Sequence, residues 1–246
     1  MKESLRINKY LQEAGLCSRR AADELIRAGR VTIDGKTAQL GTQVEPDTLV
    51  CVDGRPVLCG KRERILIALN KPIGIVCTED PREKDNIIDY LHYPERVTYA
   101  GRLDKRSQGL LLMTNDGDLI ERMMRGRNAH EKEYEVTTDR PIADDDLIRM
   151  GGGVPIELEK RSEPGQTETV VTRPCKIERI NDRSFRIILT QGLNRQIRKM
   201  CEACGYKVES LTRVRVMNIR LGDLKPGAWR HVTDEEIQEL EKLLDA

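Results

Sequence analysis

Gly101-Arg102-Leu103-Asp104-Lys105-Arg106-Ser107-Gln108-Gly109-Leu110 is the stretch on which the rest of the chain turns. Leu110, Leu111, Leu112 and Met113 follow as a short apolar strand. Gly101 and Gly109 bracket a polar segment and allow backbone angles that a side chain forbids. Asp104 sits mid-loop with Arg102, Lys105 and Arg106 within two positions. Nearby positive charge favours the ionised form of a carboxylate, even a partly buried one. That suits a nucleophile or base better than a general acid. Spacing alone leaves a second reading open, an aspartate that caps a turn or pairs with Arg102.

Gly101 to Leu110 resembles the catalytic motif of the pseudouridine synthases, in their RsuA branch and, with the rest of the chain, the RluF type within it. Two further stretches carry the same resemblance. One is Asn70-Lys71-Pro72-Ile73-Gly74-Ile75-Val76, and the other is Gly192-Leu193-Asn194-Arg195-Gln196-Ile197-Arg198. The resemblance implies that Asp104 is the catalytic carboxylate and Arg198 the cation that pairs with it. It also implies that Lys71-Pro72 shapes the floor of the site. Lys132-Glu133-Tyr134-Glu135-Val136 resembles the synthase strand whose tyrosine lies against the target base, which makes Tyr134 the stacking residue. Arg102, Lys105, Asn194, Arg195 and Gln196 are expected to contact RNA. Asn194 can also cap the following helix, and Arg195 and Arg198 share a helix face at i, i+3.

Upstream, residues 5–29 read as two short helices. Gly15 ends the first, and Ser18 caps the second. Val31-Thr32-Ile33, the turn Asp34-Gly35, and Leu49 to Val52 before Asp53-Gly54 read as a strand, a hairpin turn and a strand. This unit resembles an S4 (αL-type) RNA-binding module, in which Lys9, Arg19, Arg20, Arg27 and Arg30 face phosphates. Such contacts position RNA without reading its sequence. Residues 1–60 are therefore expected to be an S4 domain, Lys61-Arg62-Glu63-Arg64 a charged linker, and 65–246 a synthase domain. The expected class is α+β, with a mixed, mainly antiparallel sheet and flanking helices.

The chain beyond Ile65 alternates between strand and helix signals. Ile65 to Leu69 is an unbroken apolar strand, and Ile75 to Thr78 a second. Asn86 to Leu91 and the segment from Asp116 through Met123 and Met124 are helices. A helix over 144–153 ends in the flexible break Gly151-Gly152-Gly153. The charged stretch 157–169 is an exposed hairpin or insertion of limited order. Thr169–Ile180 and Ser184–Thr190 alternate as strands, as does the basic-apolar run Leu211 to Ile219. Thr233-Asp234-Glu235-Glu236 is a capping box that opens a last amphipathic helix.

Composition narrows the chemistry. Aromatics are 3% of the 246 residues, so base stacking is not the main device for holding RNA. Seven irregularly spaced cysteines argue against a disulfide framework and for a reducing cytoplasm. No apolar run reaches the length of a signal peptide or of the ~20 residues of a membrane span. His130-Glu131-Lys132-Glu133-Tyr134 starts like a zinc-protease motif but has Tyr where the second His belongs, and Cys201-Glu202-Ala203-Cys204 is a lone pair; no metal or other cofactor is expected. Residues 183–230 hold 11 Lys/Arg against 3 acids, and the tail 231–246 holds 6 acids against one lysine. That asymmetry suggests a polyanion-binding face.

Pseudouridine formation breaks uracil N1 from ribose C1′, turns the base and joins C5 to C1′. It consumes no water and transfers no electrons. The residues leave two roles open for Asp104, addition to base or sugar and abstraction of the 2′ proton. The target must leave the base stack, and sequence-specific RNA readers favour loops and bulges. The expected substrate is a hairpin uridine of 23S rRNA, with tRNA as a further candidate, handled by a monomer. A sibling synthase acting on another uridine, or a non-catalytic S4 assembly factor, is the alternative.

Overall fold

Ser18 starts a helix because its extended backbone turns its hydroxyl onto the next segment. Its Oγ accepts the N–H of Ala21 at 3.2 Å. The computed structural model describes residues 4–60, 63–125, 129–160, 163 and 165–245. Helices α1 (Ile7–Glu13) and α2 (Arg19–Arg27) each end just before a glycine with positive φ, Gly15 and Gly29. Strands β2 (Val31–Ile33), β3 (Lys36–Thr37), β5 (Val50–Val52) and β6 (Arg55–Pro56) form a small sheet in the order β3-β2-β5-β6. Both of its tight turns, Asp34-Gly35 and Asp53-Gly54, place two consecutive residues at positive φ, as a type I′ hairpin demands. Ile7, Leu11, Ala22 and Ile26 pack on Val31, Val44, Val50 and Val52. Leu5 is not helical. With Arg6 it forms β1, paired to β4 (Gln43–Val44).

This first compact unit comprises Met1–Ile65, Tyr93–Val97 and Asn115–Gly117. Lys61 and Arg62 of the expected linker lie outside the described residues. The part that is described is tied down. Asn115 accepts the N–H of Ile65 and donates to the carbonyl of Glu63, and Arg64 pairs with Asp116 at 2.9 Å.

The second unit is a nine-stranded sheet with helices against it. Its main path runs β13 (Lys176–Asn181), β14 (Ser184–Leu189), β10 (Lys132–Thr138), β15 (Val208–Val216), β9 (Gln108–Thr114), β7 (Leu66–Lys71) and β17 (Trp229–His231). β8 (Thr98–Ala100) pairs with β9, and β16 (Ile219–Arg220) with β15. All pairs are antiparallel except β15 with β9, so the sheet is mixed and mainly antiparallel, as expected. Helices α5 (Asp144–Gly152) and α6 (Gln196–Ala203) contribute Leu147, Met150, Ile197 and Met200 to one core with Val136, Phe185 and Ile187. Helices α4 (Gly117–Met124) and α7 (Asp234–Asp245) contribute Leu119, Met123 and Leu240 to another with Leu66, Leu110, Leu112 and Ile219. The short helix α3 (Ile87–Leu91) is capped by Asn86, whose side chain accepts the N–H of Asp89. Among the described residues no helix is long and apolar enough to cross a membrane.

Several expectations need correction. Ile75 to Thr78 is not a strand, because only Val76 finds a partner, in a single parallel bridge to Asn86. The proposed strand 169–180 is two strands. β12 (Thr167–Val171) and β13 are separated at Arg173-Pro174, where Pro has no N–H to give a ladder. Gly153 is no flexible break. A Cβ there would lie on the carbonyl oxygen of Thr172, and Thr172 and Val154 bond each other in both directions. The 157–169 stretch is a hairpin of β11 (Pro155–Glu159) and β12, of which residues 161, 162 and 164 lie outside the description. The run Leu211 to Ile219 turns at Met217-Asn218, with Met217 at positive φ.

Candidate active site

Asp104 reaches its position because the loop around it is fastened at nearly every backbone carbonyl. The N–H of Ser107 returns to the Asp104 carbonyl at 3.0 Å, closing a turn. Gly74 N–H donates to the Lys105 carbonyl at 2.8 Å, which ties the loop to the turn after Lys71. Lys71 is completely buried, and its Nζ donates to the carbonyls of Pro72 and Ser107, both at 2.9 Å. Arg198, also buried, donates through Nη2 to the Arg106 carbonyl at 2.9 Å and through Nη1 to the Val208 carbonyl at 3.1 Å. Arg213 reaches from β15 with Nε on the Leu110 carbonyl at 2.7 Å and Nη1 toward the Arg102 carbonyl at 3.5 Å.

The sheet brings these groups into one line. Tyr134 on β10 stands opposite Arg213 on β15. Arg213 stands opposite Gly109 on β9, and Gly109 opposite Lys71 on β7. Residues in register on neighbouring strands share a sheet face. Tyr134 comes into this line through an irregularity in the pairing between Glu133 and Tyr134. Gly109 is required here. Its φ is +106°, and a Cβ would fall on the Arg213 carbonyl oxygen and 2.6 Å from the Arg213 nitrogen.

The electrostatics concentrate on one carboxylate. Burial pushes the Lys71 ammonium below its ordinary pKa; Cys77 and Asp104 oppose that shift and Arg213 adds to it. Burial also lowers Arg198, reinforced by the Arg195 charge and opposed by Asp104. Half-buried Asp104 is thus the carboxylate felt by both buried cations. No ion pair joins it to Arg198 among the described residues: Nη1 and Nη2 donate to carbonyls, Nη2 also reaches the Ser107 hydroxyl at 3.4 Å, and the two groups interact through space. The direct pair expected of Arg198 is corrected to that arrangement.

The remaining expected site residues divide. Arg102 and Arg195 are exposed beside this loop and at the start of α6, as is Asn194. Asn194 does not cap α6. Arg195 holds the cap position at positive φ, and the turn before it is closed by Gln196, whose Oε1 accepts the N–H of Leu193 at 3.1 Å. Gln196 is buried and also meets Gln191, so its side chain shapes the loop. Lys105 pairs with Asp85 at 3.2 Å and Glu83 at 3.8 Å. In the first unit, Lys9 pairs with Glu13 and Arg30 with Asp53, while Arg19, Arg20 and Arg27 are exposed.

The basic block 183–230 is not one open face. Arg183 pairs with Glu209, Arg186 with Glu133, Glu135 and Glu178, Arg215 with Glu131 and Glu133, and Arg230 with Glu236. Several of these acids lie 50 or more positions away in the chain, so the pairing could not be read from a local charge count. Sequence reasoning also missed Arg213. The available signal was its phase: in a strand alternating with period two, it shares the buried side of Leu211.

Known proteins resemble this chain over nearly its whole length. Residues 65–203 match the family model described as RNA pseudouridylate synthase, and residues 5–50 match the S4 domain. The chain is 46% identical over 243 residues to the "Dual-specificity RNA pseudouridine synthase RluF" of Escherichia coli K12, covering 98% of this chain and 80% of that protein. It is 34% identical to the "Ribosomal small subunit pseudouridine synthase A" of the same organism, covering 95% and 98%. Among solved structures, a pseudouridylate synthase crystal structure superposes with a TM-score of 0.66 at 29% identity, covering 96% of this chain and all of the other.

Proposed function

We propose a substrate and a division of labour for this chain, which belongs to the RNA pseudouridylate synthase family and is an isomerase that forms pseudouridine in RNA. The substrate is a uridine in a hairpin of 23S rRNA, with tRNA as a second substrate class. The RluF relatives are named dual-specificity RNA pseudouridine synthases, which supports more than one target for this chain. The chain acts as a cytoplasmic monomer, with an S4 domain over 1–60 that holds RNA through Arg19 and Arg20 and a synthase domain over 65–246.

Asp104 is the catalytic carboxylate. The observation that carries this reading is its placement: one half-buried carboxylate on a loop whose carbonyls are held by three buried cations, Lys71, Arg198 and Arg213. Such a loop holds its side chain in position before substrate arrives, so little reorganisation is needed during reaction. Tyr134, in register with Arg213 on the sheet, supplies a surface for the flipped base and relays the C5 proton. Arg198 keeps a positive field at Asp104 and fixes the loop. Arg102 and Arg195 meet phosphates at the rim.

The test is to map pseudouridines in 23S rRNA and tRNA from a strain lacking this protein, complemented with the wild type or with Asp104→Asn. The expected result is one or more hairpin positions restored by the wild type and absent with Asp104→Asn. Restoration by both would remove Asp104 from the chemistry. Restoration confined to other RNAs would replace the proposed substrate.

A further inference from the structure

Arg213 is the largest of the fully buried side chains, on a strand in the middle of the sheet. A buried guanidinium usually has a carboxylate partner, because taking its charge out of water is costly. Arg213 has none among the described residues. Its polar contacts are main-chain carbonyls, Leu110 at 2.7 Å and Arg102 at 3.5 Å. Its Nη2 is buried with no hydrogen-bond partner among the described residues. A buried donor without an acceptor costs roughly 1–3 kcal/mol. A methionine would fill much of the same space without either cost, so packing does not account for the residue.

The two carbonyls have a particular placement. Arg102 lies two residues before Asp104, and Leu110 lies where the loop has entered β9. One rigid guanidinium therefore spans the catalytic loop from its root to its exit. Arg198 holds the loop at Arg106, two residues after Asp104. Asp104 is thus centred between two arginine grips on its own backbone. The Arg213 backbone is itself fixed by the close approach of Gly109.

We propose that Arg213 is a positioning residue for Asp104, which sets the carboxylate against the sugar and base of the flipped uridine by gripping both ends of its loop. The planar fork is essential to this role, because the two carbonyls are met from different nitrogens, Nε and Nη1, of one rigid plane. Lysine offers a single point charge. The inference rests on the reading of Asp104 as the catalytic carboxylate.

The test uses the full chain and a C5-tritiated transcript, 23S rRNA or tRNA, whichever the wild type converts. Tritium release is followed in single turnover with enzyme in excess, alongside RNA affinity and thermal melting, for Arg213→Lys, Arg213→Met and Asp104→Asn. A residue that merely stabilises the fold would lower the melting temperature and leave the single-turnover rate of folded enzyme unchanged. The expected result is a rate at least tenfold lower in both Arg213 variants, with RNA affinity within threefold of wild type and Asp104→Asn inactive. If Arg213→Met melts below the assay temperature, Arg213→Lys, which keeps charge and length, carries the comparison alone. A wild-type rate in Arg213→Lys, or a loss confined to affinity, overturns the proposal while Asp104→Asn stays inactive. Activity in Asp104→Asn instead strikes the underlying reading of Asp104.

Discussion

The guanidinium of Arg198 donates to the backbone carbonyl of Arg106 at 2.9 Å. It does not form an ion pair with the carboxylate two residues earlier, at Asp104. Arg198 thus acts on Asp104 in two ways, mechanically through the loop and electrostatically through space. Its second arm, on the Val208 carbonyl, ties the same guanidinium to the start of β15.

That geometry predicts a large penalty for Arg198→Lys even though charge is kept. Arg198 meets the Arg106 and Val208 carbonyls from two separate nitrogens of one rigid plane, and a lysine has only one nitrogen to place. The turnover rate should fall by roughly tenfold or more in Arg198→Lys and further in Arg198→Met, with RNA affinity little changed. Steady-state kinetics with a separate RNA-binding measurement checks this. A loss only in affinity would place Arg198 among the residues that meet phosphates.

Gly109→Ala should be among the most damaging single substitutions. The new Cβ would meet the Arg213 backbone, which cannot rotate away, and φ at 109 is +106°. Strain plus overpacking is expected to cost at least ~3 kcal/mol. Denaturant unfolding measures it. Gly35→Ala, with open space around its Cβ but positive φ, should cost about 1 kcal/mol.

RNA binding by the first unit should depend on its exposed cations. Replacing Arg19 and Arg20 together with Gln should weaken binding and flatten the slope of log affinity against log salt by about 1–2, close to one for each phosphate no longer neutralised. Lys9→Gln should do less, because Lys9 already faces Glu13 at 3.6 Å. Salt titrations of RNA binding decide it. An unchanged slope in the double variant would remove these arginines from the interface.

The last helix carries a pH-dependent latch. Arg230 makes two hydrogen bonds to Glu236, at 2.7 and 2.8 Å, and holds its carboxyl below the usual range. Thr233 N–H donates to the same carboxylate at 3.0 Å, and Glu236 N–H to Thr233 Oγ1 at 3.3 Å, a reciprocal capping box. A carboxyl whose folded pKa is depressed contributes stability that is present above its unfolded pKa and lost as pH falls through the folded one. Glu236→Gln should therefore cost about 1 kcal/mol at neutral pH. The gap between variant and wild type should close as pH drops below about 4, near the ordinary Glu value. Thermal melts across pH 3–7 follow it. A gap independent of pH would mean that the ion pair contributes nothing to the latch.

The parts whose physics is local were legible from the residues alone. Ser18 and Thr233 cap the helices they precede, and Asp34-Gly35 and Asp53-Gly54 turn the hairpins, because each of these choices depends on side chains within a few positions. The apolar runs at Leu66 and Leu110 became buried strands for the same reason. The three motifs around Asp104, Lys71 and Arg198 were also legible, and the family they imply is the one that residues 65–203 match. Only the tertiary structure decided which cation does what. It paired Arg186 and Arg215 with acids on β10 and spent Lys105 on Asp85. It buried Gln196 and turned Arg198 onto a carbonyl. It also brought Arg213, more than 100 positions away in the chain, beneath the Asp104 loop. Charge partners are set by strand order and register, and those follow from the burial of whole sheet faces, which no local window contains.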